Sequence, residues 1–183
     1  RYLKWHLGAR LVPGDIVYNW IDDIKFIVSL REHGLTGNLH SGLHDFAEMA
    51  YLLHVLRKED LFADVGANVG AYTLLACGVS QAACCSIEPI PSTFLRLIRN
   101  IRLNNLEHLA KCLNIGVGAS SDVVTFTCGL NVANHARFSG ETGIETVPVS
   151  VLPLDALFRD QVPAVLKMDV EGYEVPALQG ASQ

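Results

Sequence analysis

Residues 64–70 (DVGANVG) form a glycine loop that follows a short apolar run and precedes a helical pattern. Its glycines let the backbone turn tightly and approach a ligand, and the next helix offers free N–H groups to a polar or anionic group. The spacing D-x-G-x-x-x-G differs from the G-x-G-x-x-G of dinucleotide enzymes, because Asn68 replaces the second glycine. The loop therefore favours a ligand that has a carboxylate and no phosphate. Asp64 could accept a hydrogen bond from an amine of that ligand. A plain tight turn is the alternative.

Glu88 follows a second apolar run, residues 83–87. In doubly wound α/β folds, an acidic side chain at the end of the second strand binds ribose hydroxyls. Together, the loop and Glu88 predict a ligand like adenosine with free 2′ and 3′ hydroxyls. The alternative is that Glu88 only places a favourable negative charge ahead of the helix that begins at Pro91.

Asp169 and Glu171 follow a third apolar run, in the segment 167–172 (KMDVEG). If this segment is extended, the two carboxylates point to the same side, at the edge where such sheets bind ligands. Paired acids in a cleft can hold a ligand, bind a metal or provide a general base. Solvated charge at the end of a strand is the alternative.

Histidines supply weaker candidates. His135 lies in a long polar loop and is a candidate base, with an exposed loop histidine as the alternative. His40, His44 and Glu48 are four residues apart, which on a helix could bind a metal. Ser41-Gly42 argues against a helix there, so we predict no metal site and instead a segment that caps the cleft.

Alternating strands and helices must position these residues. We predict parallel strands at 61–65, 83–87, 112–117 and 164–170, a further strand at 22–30, and an antiparallel pair at 123–127 and 145–149. We predict helices at 46–56, 70–78, from 91, at 154–158 and from 173, with turns and a hairpin around Gly34, Gly37 and Gly42. The stripe of Arg96, Arg99 and Arg102 is expected to be a solvated helix face. This order predicts a doubly wound, mostly parallel α/β sheet.

The composition of the 183 residues narrows the class of protein. Half the residues are hydrophobic and 18% are charged, and the mean hydropathy is +0.27. This excludes disorder and fits a sheet buried on both faces, or a chain separated from parts that cover it. The net charge of −5 argues against nucleic acid or an anionic membrane as a partner. Five cysteines without C-x-x-C spacing predict free thiols in a reducing, cytoplasmic compartment.

The uncharged segment 65–87 is long enough to suggest a membrane span. Glycine, asparagine, serine and glutamine interrupt it, and it lies between Asp64 and Glu88. A buried strand, turn, helix and strand therefore explain it better than a span does.

Four segments in series resemble the FkbM family of S-adenosylmethionine-dependent methyltransferases. They are DVGANVGAYT, IEPIPSTFLRLIRNIRLNN, LPLDALF and VLKMDVEGYEVPALQGA, and the resemblance runs over residues 46–182. It implies a class I methyltransferase with a Rossmann-like doubly wound sheet, usually an O-methyltransferase. The implied cofactor is S-adenosyl-L-methionine, and the implied acceptor is a hydroxyl on a sugar, glycan or secondary metabolite.

The resemblance also assigns roles to residues. The loop meets the methionine end of the cofactor, Glu88 the ribose, and residues 118–120 the adenine edge. The cofactor-binding candidates are Asp64, Gly66, Ala67, Asn68, Gly70, Glu88, Pro89, Gly118, Ala119 and Asp169. The catalytic candidates are Asp169 and Glu171, on the DVEG motif beside the methyl group, together with His135. Asn100 and Asn104 are expected to fix helix ends and loops.

We divide the chain into an N-terminal extension, residues 1–42, and a methyltransferase domain, residues 43–183. By the resemblance, the sheet has seven strands in the order 3-2-1-4-5-7-6, of which this sequence supplies four. We therefore expect a C-terminally incomplete catalytic domain in which residues 164–170 form a hydrophobic edge. A non-catalytic Rossmann-like binding or scaffold module is the main alternative function. An NAD-type oxidoreductase is disfavoured by Asn68.

Overall fold

The computed structural model describes residues 14–28, 36–128, 135–136, 143 and 145–182. In chain order, the elements are β1 (Ile16–Asn19), β2 (Lys25–Val28), α1 (Thr36–Ser41), α2 (Phe46–Val55), β3 (Leu61–Val65), α3 (Ala71–Leu74), which continues as a π-helical turn (Leu75–Val79), β4 (Ala83–Ile87), α4 (Pro91–Leu103), β5 (Ala110–Leu113), β6 (Gly116–Val117), β7 (Asp122–Thr127), β8 (Thr146–Leu152), α5 (Leu154–Leu157), β9 (Val165–Met168) and α6 (Glu174–Gln179). These bounds match most of the predicted elements closely.

The central sheet has four strands in the order β5-β4-β3-β9, and every neighbouring pair is parallel. The predicted α/β class with a mostly parallel sheet is confirmed. Val65 at the end of β3 lies opposite Ile87 on one side and Met168 on the other. The segments that follow these three strands therefore leave the sheet side by side, at the edge where such folds bind ligands. Strand β9 is the outer strand of this sheet in the described part of the chain.

The predicted third strand, 112–117, is wrong as one element. Strand β5 ends at Leu113, and Gly116–Val117 instead pairs with β8 in a second, three-stranded sheet. The break falls at Asn114, whose side-chain amide donates to the carbonyls of Glu88 (2.8 Å) and Pro89 (3.0 Å). This long-range contact turns the chain out of the central sheet. The predicted antiparallel pair is confirmed as β7 and β8.

The N-terminal region differs from its prediction. Strand β2 covers part of the predicted strand 22–30, but it belongs to a hairpin with β1 that turns at Asp22. Gly37 lies inside helix α1 rather than in a turn, and Gly34 lies outside the described residues. Phe26 is fully buried in the same hydrophobic core as the central sheet. The domain boundary at residue 42 stays a prediction.

The uncharged segment 65–87 forms the predicted strand end, loop, helix and strand. The helical part is a short α-helix followed by the π-helical turn, rather than one regular helix over 70–78. Among the described residues, no helix is long and apolar enough to cross a membrane.

Helix α4 connects the hairpin to the glycine loop through two asparagines. The fully buried side chain of Asn100 accepts from the N–H of Ile27 and donates to the carbonyl of Val69, both at 2.8 Å. Asn104 bonds the N–H and carbonyl of Lys25 in the same way. Asn100 thus fixes the glycine loop, and Asn104 fixes the end of α4 by donating to the carbonyl of Asn100 at 2.8 Å, as expected of helix ends and loops.

The arginines on α4 were expected to be a solvated face; Arg99 and Arg102 are exposed, but Arg96 is largely covered. Arg99 and Arg96 form ion pairs with Asp15, which precedes the hairpin. The basic stripe thus helps to attach the hairpin, because the acidic partner comes from a distant part of the chain.

We expect Asn100→Ala to lower the free energy of unfolding by about 2 kcal/mol, because it leaves the half-buried N–H of Ile27 and the buried carbonyl of Val69 without partners. Urea unfolding measures this. Asn104→Ala is the matched control, with an expected loss of about 1 kcal/mol, because water reaches the groups it releases. Equal losses for the two variants would contradict the prediction.

Candidate functional site

A cleft opens where β3, β4 and β9 end. It has about 630 Å³ of space, part of which is open to solvent. Three carboxylates, Glu88, Asp169 and Glu171, line it. The other lining residues are Val65, Gly66, Asn68, Ile87, Pro89, Ile90, Thr93, Gly116, Val117, Phe126, Val170 and Tyr173.

The glycine loop packs against the end of β9. Gly66 has φ +75°, and a Cβ on it would lie 1.9 Å from the carbonyl oxygen of Asp169. The N–H groups of Gly66 and Ala67 both donate to the carbonyl of Ile87. Gly70 has φ +96°, and a Cβ there would lie 2.6 Å from the Leu97 side chain on α4. Gly66 is therefore required first by backbone packing and Gly70 by its left-handed φ, which the sequence-based argument from ligand approach did not anticipate.

Glu88 is fixed by two backbone donors. Its carboxylate accepts from the N–H of Asn68 and from the N–H of Ile90, each at 2.9 Å. Asn68 adopts φ +50°, a left-handed conformation that asparagine tolerates and that directs its N–H to the carboxylate. Burial raises the pKa of Glu88 to about 7, against the opposing effect of the two N–H donors. A carboxylate has about four acceptor sites, so two remain for ligand hydroxyls.

Asp64 lies behind the loop rather than among the residues that line the cleft. Its side chain is fully buried, and its Oδ2 accepts from the Thr73 hydroxyl at 2.7 Å. Its Oδ1 receives no hydrogen bond from the described residues and lies 3.5 Å from the ammonium of Lys167. The structure therefore places Asp64 beneath the loop, and its predicted contact with a ligand amine stays a prediction.

Asp169 and Glu171 line the same cleft, but not for the predicted reason. Strand β9 ends at Met168, and Glu171 and Gly172 have φ of +47° and +87°. The segment is a turn, so the alternation of an extended strand does not apply. A left-handed conformation costs a glutamate about 1–2 kcal/mol, and such strain is commonly found at functional sites.

The remaining candidates lie beside the cleft. Gly118 and Ala119 come just after the lining residues Gly116 and Val117, and the N–H of Gly118 donates to the carbonyl of Leu152. His135 is half-buried, and its backbone bonds the hydroxyl of Thr127 at the end of β7. The structure does not bring these candidates into the lining of the cleft, so their roles stay predictions.

The cap and metal candidates are separated from the cleft. His44 is exposed, and Glu48 lines a different, apolar groove between α2 and β9. The side chain of His40 lies outside the described residues. Within the described ranges, no three His, Cys, Asp or Glu side chains are close enough to hold a metal ion.

Sequence reasoning missed three residues around the cleft. Phe126 and Tyr173 both line it, with ring centroids 6.2 Å apart in an edge-on arrangement. Lys167 lies beneath the loop and contacts Asp64, Gly66 and Asp169. A lysine within the apolar run VLKM was the available signal for the last of these.

The glycine loop after β3, the acid after β4 and the strand order define a class I methyltransferase fold. The crystal structure of a methyltransferase FkbM from Methylobacillus flagellatus KT is similar, with a TM-score of 0.50 and 24% identity, over 70% of this chain and 31% of that chain. The family model described as "Methyltransferase FkbM domain" matches residues 64–183. The chain therefore belongs to the FkbM methyltransferase family, which confirms the predicted family. Membership implies S-adenosylmethionine as the methyl donor.

Two curated relatives agree with this family. A hexuronic acid methyltransferase, AglP, from Haloferax volcanii is 29% identical over 132 residues, which cover 70% of this chain and 53% of the relative. A methyltransferase, sdnD, from Sordaria araneosa is 25% identical over 172 residues, which cover 75% of this chain and 66% of the relative. The chain thus spans about half the length of the hexuronic acid methyltransferase and 31% of the length of the FkbM crystal structure.

Proposed function

We propose that the chain holds the donor site of an S-adenosylmethionine-dependent methyltransferase that methylates a hydroxyl on a sugar or related metabolite. The observation that carries the proposal is the buried carboxylate of Glu88, held by two backbone N–H groups beside the glycine loop. Such an acceptor suits the hydroxyls of a ribose. The carboxylate lines the cleft together with Gly66 and Asn68 of the loop.

The cleft suits the donor in charge as well as in hydrogen bonding. The donor has a cationic sulfonium, an amino acid end and a ribose, and no phosphate. The described lining contains three carboxylates, Glu88, Asp169 and Glu171, and no lysine or arginine. The negative charge of these carboxylates would therefore favour the cationic sulfonium of the donor.

When bound, the donor supplies an electrophilic methyl group. The chain's own residues then have to align the acceptor oxygen and accept its proton. Asp169 and Glu171 are the candidates, because both carboxylates line the cleft at the end of β9. His135 stays a third candidate base, outside the cleft lining.

The acceptor is proposed to be a hydroxyl of a sugar or a small metabolite. This follows from a relative that is named as a hexuronic acid methyltransferase. The five cysteines are free thiols, which supports a reducing, cytoplasmic setting. That nucleic acid is not a substrate stays a prediction from the net charge of −5.

Titration calorimetry of the full chain with S-adenosylhomocysteine tests the donor site, and we expect binding. No heat at millimolar ligand would reject the proposal. A methylation screen over hexuronic acids, neutral sugars, hydroxylated metabolites and RNA tests the acceptor. Transfer to RNA alone would overturn the sugar proposal, and donor binding without transfer to any acceptor would favour a non-catalytic module.

We expect Asp169→Asn and Glu171→Gln to separate the two acids. The variant that loses the base should lose about 100-fold or more in kcat and keep its affinity for S-adenosylhomocysteine. The other variant should change KM more than kcat. Initial rates together with calorimetry measure this. If both variants keep the wild-type rate, neither carboxylate is the base.

A further inference from the structure

We propose that Lys167 is a positioning residue that fixes the glycine loop, residues 64–70, to the Asp169 carboxylate. This role rests on the proposed function. Lys167 lies on β9 directly opposite Asp64 on β3. Its ammonium is 2.8 Å from the carbonyl oxygen of Gly66, 3.5 Å from Oδ1 of Asp64 and 3.6 Å from Oδ2 of Asp169. One cation thus contacts both the glycine loop and the Asp169 carboxylate.

The surroundings of Lys167 hold the ammonium in place. The side chain is only 19% exposed, and its ammonium lies 5.3 Å from the centre of the Tyr72 ring on α3. Burial, with the neighbouring Asp45 carboxylate, raises the pKa of Tyr72, so this phenol stays neutral. The ring therefore offers its face to the cation, and the neutral phenol adds no negative charge beside the carboxylates.

The hydrogen bond from Lys167 to Gly66 reaches the turn that starts the glycine loop. Gly66 packs so closely on the carbonyl of Asp169 that only a hydrogen atom fits between them. The N–H of Asp169 donates to the carbonyl of Val65, so the two segments already share backbone contacts. By bonding the Gly66 carbonyl from β9, Lys167 fixes the distance between the loop and Asp169. In-line transfer needs that distance, because the reacting atoms must be held about 3–3.5 Å apart, and a misplacement of about 1 Å costs roughly 100-fold in rate.

A purely structural role predicts something different. Asp64 is fully buried, and a buried carboxylate without a counter-ion is strongly destabilising. If Lys167 served only as the counter-ion of Asp64, its ammonium would be dispensable once Asp64 was neutral. The positioning role requires the ammonium even then, for Gly66 and Asp169.

The test compares Asp64→Asn with the double variant Asp64→Asn/Lys167→Met in the full chain. Hydrogen exchange in the ligand-free protein reads out the amides of Gly66 and Asp169, and calorimetry reads out S-adenosylhomocysteine. In the Asp64→Asn background, we expect Lys167→Met to speed hydrogen exchange at both amides. It should also weaken binding of S-adenosylhomocysteine about tenfold relative to Asp64→Asn alone. Lys111→Met, an exposed lysine on β5, is the matched control and should change neither.

Unchanged exchange and unchanged affinity in the double variant would overturn the role, leaving Lys167 as a counter-ion only. Faster exchange with unchanged affinity would overturn it too, because the loop would then move without effect on the ligand. If the wild-type protein fails to bind S-adenosylhomocysteine, the proposed function fails. The exchange data would then still decide whether Lys167 joins the two segments.

Discussion

Gly66→Ala should lower the free energy of unfolding by about 3–5 kcal/mol and abolish binding of S-adenosylhomocysteine. The added methyl carbon would lie 1.9 Å from the carbonyl oxygen of Asp169 and 2.8 Å from its carbonyl carbon. Both atoms belong to backbone, so no side chain can rotate away. The loop and the end of β9 must separate, and the donor site and Asp169 lose their relative positions together. Urea unfolding and calorimetry measure the two effects.

Gly42→Ala is the matched control. Gly42 also has a left-handed φ, +85°, but no heavy atom lies within 4 Å of a Cβ built on it. Its substitution should therefore cost only the backbone strain, about 1–2 kcal/mol. The difference between the two variants isolates the steric contact with Asp169. Equal losses of stability would show that the close approach of the loop to β9 does not contribute.

Local patterns allowed the parallel core of the fold to be predicted from the sequence. Strands β3 and β4 have their predicted bounds, since each is a short apolar run that ends at a glycine or at a Glu-Pro pair. Helix α4 begins at Pro91, as its first-turn proline predicts. The loop and Glu88 follow directly from these elements, because the ends of adjacent parallel strands meet at one edge.

Contacts between distant residues could not be predicted in this way. The split after β5 depends on Asn114 and its bonds to the carbonyls of Glu88 and Pro89, about 25 residues earlier. The turn that aims Glu171 into the cleft replaces the expected strand alternation. Lys167 meets Gly66 across 101 positions in the chain. Each of these features is set by tertiary packing. The spacing of apolar and polar residues along the sequence does not predict such contacts.

The pH dependence of donor binding should follow Glu88. Burial raises its pKa to about 7, and only the ionised carboxylate can accept from both the backbone N–H groups and ribose hydroxyls. Affinity for S-adenosylhomocysteine should therefore rise by about tenfold between pH 6 and pH 8, as the ionised fraction grows from about one tenth to about nine tenths. Calorimetry across this range measures the slope.

Folding stability should change in the opposite direction. The pKa of Glu88 is raised from 4.5 when unfolded to about 7 when folded, so the folded state binds the proton more tightly. Stability from this group is fully present below about pH 4.5 and is lost as the pH rises towards 7, by on the order of 3 kcal/mol. Glu88→Gln cannot ionise and should flatten both profiles, with weaker binding at pH 8 because its amide faces one of the two N–H donors. A binding slope that persists in Glu88→Gln would assign the titration to another group and remove Glu88 from the ribose contact.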